Sequence, residues 1–159
     1  MDSKSIEKLK NAIGGARFCM FTTVENGRLC SRPMSIQEAD FEGQVWFLTG
    51  KHSGIGKAIG QDERVNLSIV RPGDNVYVSI SGRARFVEDR AKIEELWSPL
   101  YKAWFAKGLE DPELQLMAVA TDEAEYWDAP NAAVVIFRGL KAALTGRPQE
   151  MGVHEKISG

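Results

Sequence analysis

Asn26-Gly27 is the feature that most constrains this chain. It stands between an apolar run, Phe18 to Val24, and a second run from Leu29 to about Gln37. Asn-Gly suits the two positive-φ positions of a type I′ turn, whose twist matches that of paired antiparallel strands. A two-residue loop sets Glu25 opposite Arg28, Thr23 opposite Cys30 and Cys19 opposite Met34. Cys19 and Cys30 are then about four residues out of register, which at ~3.3 Å per residue exceeds the reach of a disulfide. They are read as buried thiols in a reducing compartment.

The remaining patterns extend this hairpin into a sheet. Residues 3–13 place Ile6, Leu9 and Ile13 at helical spacing, with Asp2 or Ser3 as cap and Gly14-Gly15 as terminator. Strands are expected at Gln44 to Thr49, Val65 to Val70, Val76 to Ser81 (Gly82 kinking the chain before Ala84 to Val87), Leu114 to Ala120 and Ala124 to Trp127. Gly50 to Gly56 reads as loop and Lys57 to Gln61 as a short helix. Asp89 to Ala106 is patterned as a long helix with Ile93, Leu96, Trp97, Leu100, Tyr101 and Trp104 on one face, which Pro99 should kink or divide. Ala133 to Leu144 is apolar and expected to end in a helix, with a polar tail from about 146. Short strands joined by turns leave open edges unless the sheet closes, so an antiparallel barrel with peripheral helices is expected.

A chain of 159 residues, 43% of them hydrophobic, holds one domain, taken as residues 1–159, with one core. The net charge of −2 is spread over mixed acidic and basic residues, which argues against a nucleic-acid or membrane-surface partner. Met1-Asp2-Ser3-Lys4 leads into a charged helix, and no apolar run approaches the length of a membrane span. The expected location is cytoplasmic.

Gly50 to Ala58 lies between a strand and a helix and invites a nucleotide reading, which its spacing refuses. Gly50 and Gly56 are separated by five residues where a P-loop has four, and Ala58 cannot supply the magnesium hydroxyl. Gly60 arrives one residue late for a dinucleotide fingerprint. The glycines, Ser53, Lys51 and Lys57 at a helix N-terminus would make an anion cradle, although taken by itself the segment better fits a plain loop with solvated lysines. His52 and His154, the only histidines, lack ligands at metal spacing, and no metal site is expected. No nucleophile elbow is present, so any chemistry would be carried by a cofactor. Arg32-Pro33-Met34 demands an edge, split or bulged strand, because proline cannot donate to the ladder. That placement suits either ligand contact or protection of a sheet edge.

Taken together, "FTTVENGRLCSRPM" (21–34), "VWFLTGKHS" (45–53), "DERVNLSIV" (62–70), "YVSISGRARFVEDRAKIEELW" (77–97) and "AEYWDAP" (124–130) resemble the pyridoxamine 5′-phosphate oxidase-like FMN-binding split-barrel family, in its short general-stress branch. The resemblance implies a six-stranded antiparallel Greek-key split β-barrel, homodimeric, with FMN at the interface. It implies that Ser31, Arg32, Pro33 and Met34 run along the flavin and that Leu48 and Thr49 line the ring. Ser53 with Lys51 or Lys57 would hold the phosphate, and Trp127 would approach from the partner subunit. Relatives carry Lys or Arg one or two residues after the serine, where this chain has Gly54 and Ile55. The true oxidase has an Arg- and His-containing motif after its tryptophan, replaced here by Asn131-Ala132-Ala133-Val134-Val135, which speaks against vitamin B6 oxidase activity. The implied function is a flavin-dependent oxidoreductase with reduced nicotinamide or another small donor; the alternative is a non-catalytic FMN carrier or redox sensor.

Overall fold

The hairpin forms in the expected register. In the computed structural model, which describes residues 2–37, 41–128 and 153–158, Asn26 and Gly27 adopt φ of 51° and 75°. They join β1 (Phe18–Glu25) to β2 (Arg28–Ser35), with Thr23 facing Cys30 and Cys19 facing Met34. Both cysteines are free. Burial pushes the Cys19 thiol up to about 12.

Five further strands follow: β3 (Gln44–Gly50), β4 (Arg64–Arg71), β5 (Val76–Val87), β6 (Leu114–Asp128) and β7 (Val153–Ser158). All pairings are antiparallel, in the order β2-β1-β4-β5-β6-β3, and β7 also joins β6. β3 takes the first half of β6 and β7 takes the second. Pro33 sits on the edge strand β2, where its missing donor costs no ladder bond.

The sheet curls on itself. β1 and β3 are separated by three strands in the sheet order, yet Phe21 and Phe47 meet edge to face, 5.2 Å between centroids and 88° between planes. The Gln37 N–H, just past β2, donates to the Trp46 carbonyl of β3 at 3.1 Å and bridges the gap between the two path ends. The curl is helped by a register shift between Ser81 and Gly82 of β5. A Cβ on Gly82 would lie 2.1 Å from the Ala120 carbonyl oxygen, so only glycine lets the strands approach there. The result is a mainly antiparallel split-barrel fold with peripheral helices.

Inside lie Cys19 and Phe21 of β1, Val45 and Phe47 of β3, Val65, Leu67 and Ile69 of β4, and Val78 and Ile80 of β5. α1 (Ser3–Ile13) is capped by Asp2, which accepts from the Ser5 N–H, and buries Leu9 completely. α2 (Gly54–Gln61) buries Ile55, Ala58 and Ile59.

Several expectations change. The described sheet has seven strands where six were expected, because the polar tail contributes β7. Its Ile157 is buried, and Glu155 accepts hydrogen bonds from Lys8 and from the Tyr126 hydroxyl at 2.9 Å. The two late strand segments are one strand, β6, which pairs with β5 on both sides of a single extra residue, Asp122, where Ser81 faces Glu123 and Gly82 faces Thr121. α2 starts at Gly54, with Ser53 as its cap, and takes in residues read as loop. The long helix is divided, as expected at Pro99: α3 (Arg90–Leu96) ends at Trp97, and Pro99–Ala103 forms a separate 3₁₀ turn. Its supposed single face is split as well, since Leu96 is buried while Leu100 and Trp104 are 78% and 74% exposed. The apolar stretch Ala133 to Leu144 lies outside the described residues. Among the described residues no helix is long and apolar enough to cross a membrane.

Candidate functional site

Alternation along β2 separates the four candidates from Ser31 to Met34 into two pairs. Arg32 and Met34 point inward with Phe21 and Cys19, their partners across the hairpin. Ser31 and Pro33 point outward, Ser31 hydrogen-bonding through its hydroxyl to Thr22 at 2.6 Å. β3 divides in the same way, with Thr49 buried on the inner side and Leu48 on the other.

The loop after β3 is drawn tight. The Ser53 N–H donates to the Gly50 carbonyl at 3.1 Å, and the Lys51 N–H donates to the Glu113 carbonyl at 2.8 Å. The Ser53 hydroxyl accepts from the Gly56 N–H at 3.3 Å and contacts the Thr49 hydroxyl at 3.3 Å. Gly56 is required, since a Cβ there would stand 2.8 Å from the Lys51 carbonyl oxygen. Ser53 takes the Gly56 N–H on its hydroxyl and the Lys57 N–H on its carbonyl, which leaves those of Gly54 and Ile55 at the start of α2, where the helix dipole favours an anion.

The guanidinium of Arg32 reaches that same point. Its Nη1 lies 3.4 Å from where a Cβ of Gly54 would stand, so a bare glycine backbone faces a cation. Arg32 Nη2 donates to Thr23 Oγ1 at 3.2 Å and pairs with Glu25 Oε1. The Thr23 hydroxyl, fully buried, donates to Glu25 Oε1 at 2.8 Å. These contacts, the Thr23 bond first and Arg32 second, hold the Glu25 carboxyl below its ordinary range. The fold thus brings Arg32, Thr49, Ser53 and Gly54 together from β2, β3 and α2. Such a cradle fits a phosphate: one guanidinium, one hydroxyl and helix N–H groups converge on it.

Lys51 and Lys57 are exposed beside the cradle, and neither forms an ion pair among the described residues. Ile55 is buried in the core, which explains why no cation occupies the second place after Ser53. His52 is held by Glu113 through Nδ1 at 2.8 Å.

Trp127 lies elsewhere, on the outer face of the sheet, opposite Tyr77 of β5 and His154 of β7. Its ring stacks on His154 at 5.0 Å with planes 3° apart, and His154 Nε2 meets Glu125 Oε2 at 3.0 Å. Sequence reasoning missed Thr23, Glu25 and His154. Glu25 faces Arg28 across the hairpin, as the turn requires, and its carboxylate pairs with Arg32 four residues further along β2. Among the described residues no group of histidine, cysteine and carboxylate side chains could hold a metal.

Comparison with known proteins agrees with this architecture. The chain is 28% identical to protein bli-3 of Neurospora crassa, over 99% of this chain and 81% of that protein. A crystal structure from Jannaschia sp. CCS1, assigned to general stress protein 26, superposes with a TM-score of 0.79 over 99% of both chains at 24% identity. The general stress FMN/FAD binding protein of Xanthomonas citri is 33% identical, with a TM-score of 0.66 over 80% of this chain and 90% of that one. Residues 4–150 match the model of the family described as pyridoxamine 5′-phosphate oxidase like, and the chain belongs to that family.

Proposed function

We propose that this protein is an FMN-binding flavoprotein of the general-stress type, working as a homodimer with FMN at the interface and drawing electrons from reduced nicotinamide or another small donor. The observation that carries the reading is the convergence of Arg32 on the N-terminus of α2 beside Ser53. The FMN/FAD binding relative from Xanthomonas citri supports a flavin as the ligand class. When bound, the flavin supplies hydride acceptance and onward electron transfer. The protein's part is binding and electrostatics. Arg32, the Ser53 hydroxyl and the first N–H groups of α2 would hold the phosphate, with Lys51 and Lys57 adding diffuse positive charge. Ser31, Pro33, Met34, Leu48 and Thr49 would flank the ring, and Trp127 of the partner subunit would limit its exposure to water. Two unpaired cysteines support a reducing, cytoplasmic setting.

A non-catalytic carrier or redox sensor is the second reading. It is favoured by the engagement of the carboxylates beside the cradle, Glu25 with Arg32 and Glu113 with His52. Neither stands free as an acid or base.

The visible spectrum of purified protein, taken after adding FMN and filtering away free ligand, tests the cofactor. Retained flavin bands are expected; colourless protein would overturn the reading. Arg32→Ala is expected to weaken FMN by about 1.5–3 kcal/mol, the range for a charge-assisted bond. Unchanged affinity would remove Arg32 from the site. Oxidation of reduced nicotinamide by the loaded protein separates the enzyme from the carrier.

A further inference from the structure

Arg32 presents only one of its terminal nitrogens to α2. Nη2 is occupied by Thr23 Oγ1 and Glu25 Oε1, while Nη1 is the atom facing Gly54. Thr23 is itself completely buried and bonded to the same carboxylate oxygen, so the three side chains form a closed set. A carboxylate beside an anion site is electrostatically unfavourable for the anion. Its presence makes sense where its hydrogen bonds do something the site needs.

We propose that Thr23 and Glu25 are positioning residues for phosphate recognition, clamping Nη2 so that Nη1 is aimed at the N-terminus of α2. This inference rests on the phosphate reading given above. An arginine side chain left free would sample many rotamers, and ordering it on binding would cost affinity. The clamp removes that cost in advance. Glutamine at position 25 keeps a carbonyl acceptor for both Arg32 and Thr23 but loses the charge. Alanine loses both. The two substitutions therefore pull apart positioning and repulsion.

The test is a titration of FMN, and of riboflavin as the same ring without phosphate, into wild type, Glu25→Ala, Glu25→Gln, Thr23→Val and Thr23→Ser. Glu25→Ala and Thr23→Val should weaken FMN by roughly tenfold, the worth of about one charge-assisted bond, and leave riboflavin unchanged. Glu25→Gln should bind FMN at least as tightly as wild type, and Thr23→Ser, which keeps the hydroxyl, should match wild type. Tighter FMN binding by Glu25→Ala would mean that Glu25 only repels the phosphate, and the inference fails. Equal losses for FMN and riboflavin would reduce both residues to structural support and also overturn it. Wild type that prefers FMN while every variant matches it sinks the clamp alone. Wild type that does not distinguish FMN from riboflavin sinks the phosphate reading and the clamp with it.

Discussion

Phe18 and Phe21 belong to the same strand, β1, and meet opposite surroundings. Phe21 is fully buried against Phe47, with Cys19 and Thr23 beside it on the inner face. Phe18 is 64% exposed, and Met20 next to it on the outer face is 43% exposed. The outer face continues with Val70, Tyr77 and Trp127, all exposed. Tyr77 and Trp127 are direct neighbours across β5 and β6. Alongside runs a polar row in which Thr22 bonds Ser31 and Asn66 bonds Ser79 and Ser81. Among the described residues the inner face is complete, and an apolar row of the outer face is left exposed. A contiguous apolar row of this kind differs from scattered surface hydrophobes and is the expected character of an interface. It is where the proposed second copy would sit.

The largest effect expected from this contrast is on folding. Phe21→Ala should destabilise the protein by about 3–5 kcal/mol in denaturant unfolding, through lost burial and a cavity that cannot collapse. Phe18→Ala should change protomer stability by no more than about 0.5 kcal/mol, as for other exposed positions. Equal costs would mean that the outer face is already packed within one protomer. Association should respond in the reverse order. Replacing Phe18 and Tyr77 together by serine is expected to raise the dimer dissociation constant by at least about tenfold in sedimentation, since buried aromatics anchor interfaces. A dimer unaffected by the pair would move the interface off this face.

The same contrast shows what could be read from residues alone. Asn26-Gly27 fixed a register that the structure reproduces pair by pair, because turn geometry and strand pairing are local and agree. β7 escaped because only Val153 and Ile157 of its six residues are apolar, too few to mark a strand; it exists through pairing to β6 and through Lys8 and Tyr126, all distant in sequence. The helix expected through residues 89–106 divides at Ser98-Pro99, as its proline required, and Ser98 caps a new 3₁₀ turn; only the single apolar face was misjudged, because the two pieces no longer share an axis. Arg32 and Ser53 were candidates from their motifs, and the fold brings them to the same end of α2. Glu25 was missed because pairing opposite residues assigned it to Arg28, and a long arginine reaching along its strand has no signature in spacing.

Thiol chemistry probes the inner face alone, at a central and an edge strand, without touching stability: Cys19 of β1 and Cys30 of the edge strand β2 both lie on it. Cys19 is buried, and its thiol is pushed up to about 12, so it holds almost no thiolate near neutrality. Cys30 is only partly buried. Iodoacetamide at pH 8 should label Cys30 first and Cys19 only on unfolding, as read by peptide mass mapping. Early labelling of Cys19 would mean that the inner face of β1 opens locally.

Acid titration should give the smallest effect, because the carboxylates concerned are near water and screened. The Glu25 carboxyl is held below its ordinary 4.5 chiefly by the Thr23 hydroxyl and then by Arg32; that of Glu155 is held down by Lys8 and then by Tyr126. A carboxyl with a depressed folded pKa stabilises the fold fully above its unfolded value and loses that contribution as pH falls through the folded one. The stabilisation from both groups should therefore be intact at neutral pH and decline once the pH drops below 4.5. Melting temperatures of wild type and Glu25→Gln, measured down this range, should converge as Glu25 takes up its proton. The outer aromatic row of Phe18, Val70 and Tyr77 holds no carboxylate, so Phe18→Ala should keep a constant offset from wild type over the same range. A Glu25→Gln offset equally constant would show that the charge on Glu25 contributes nothing to the hairpin, leaving its hydrogen bonds to Thr23 and Arg32 as its whole effect.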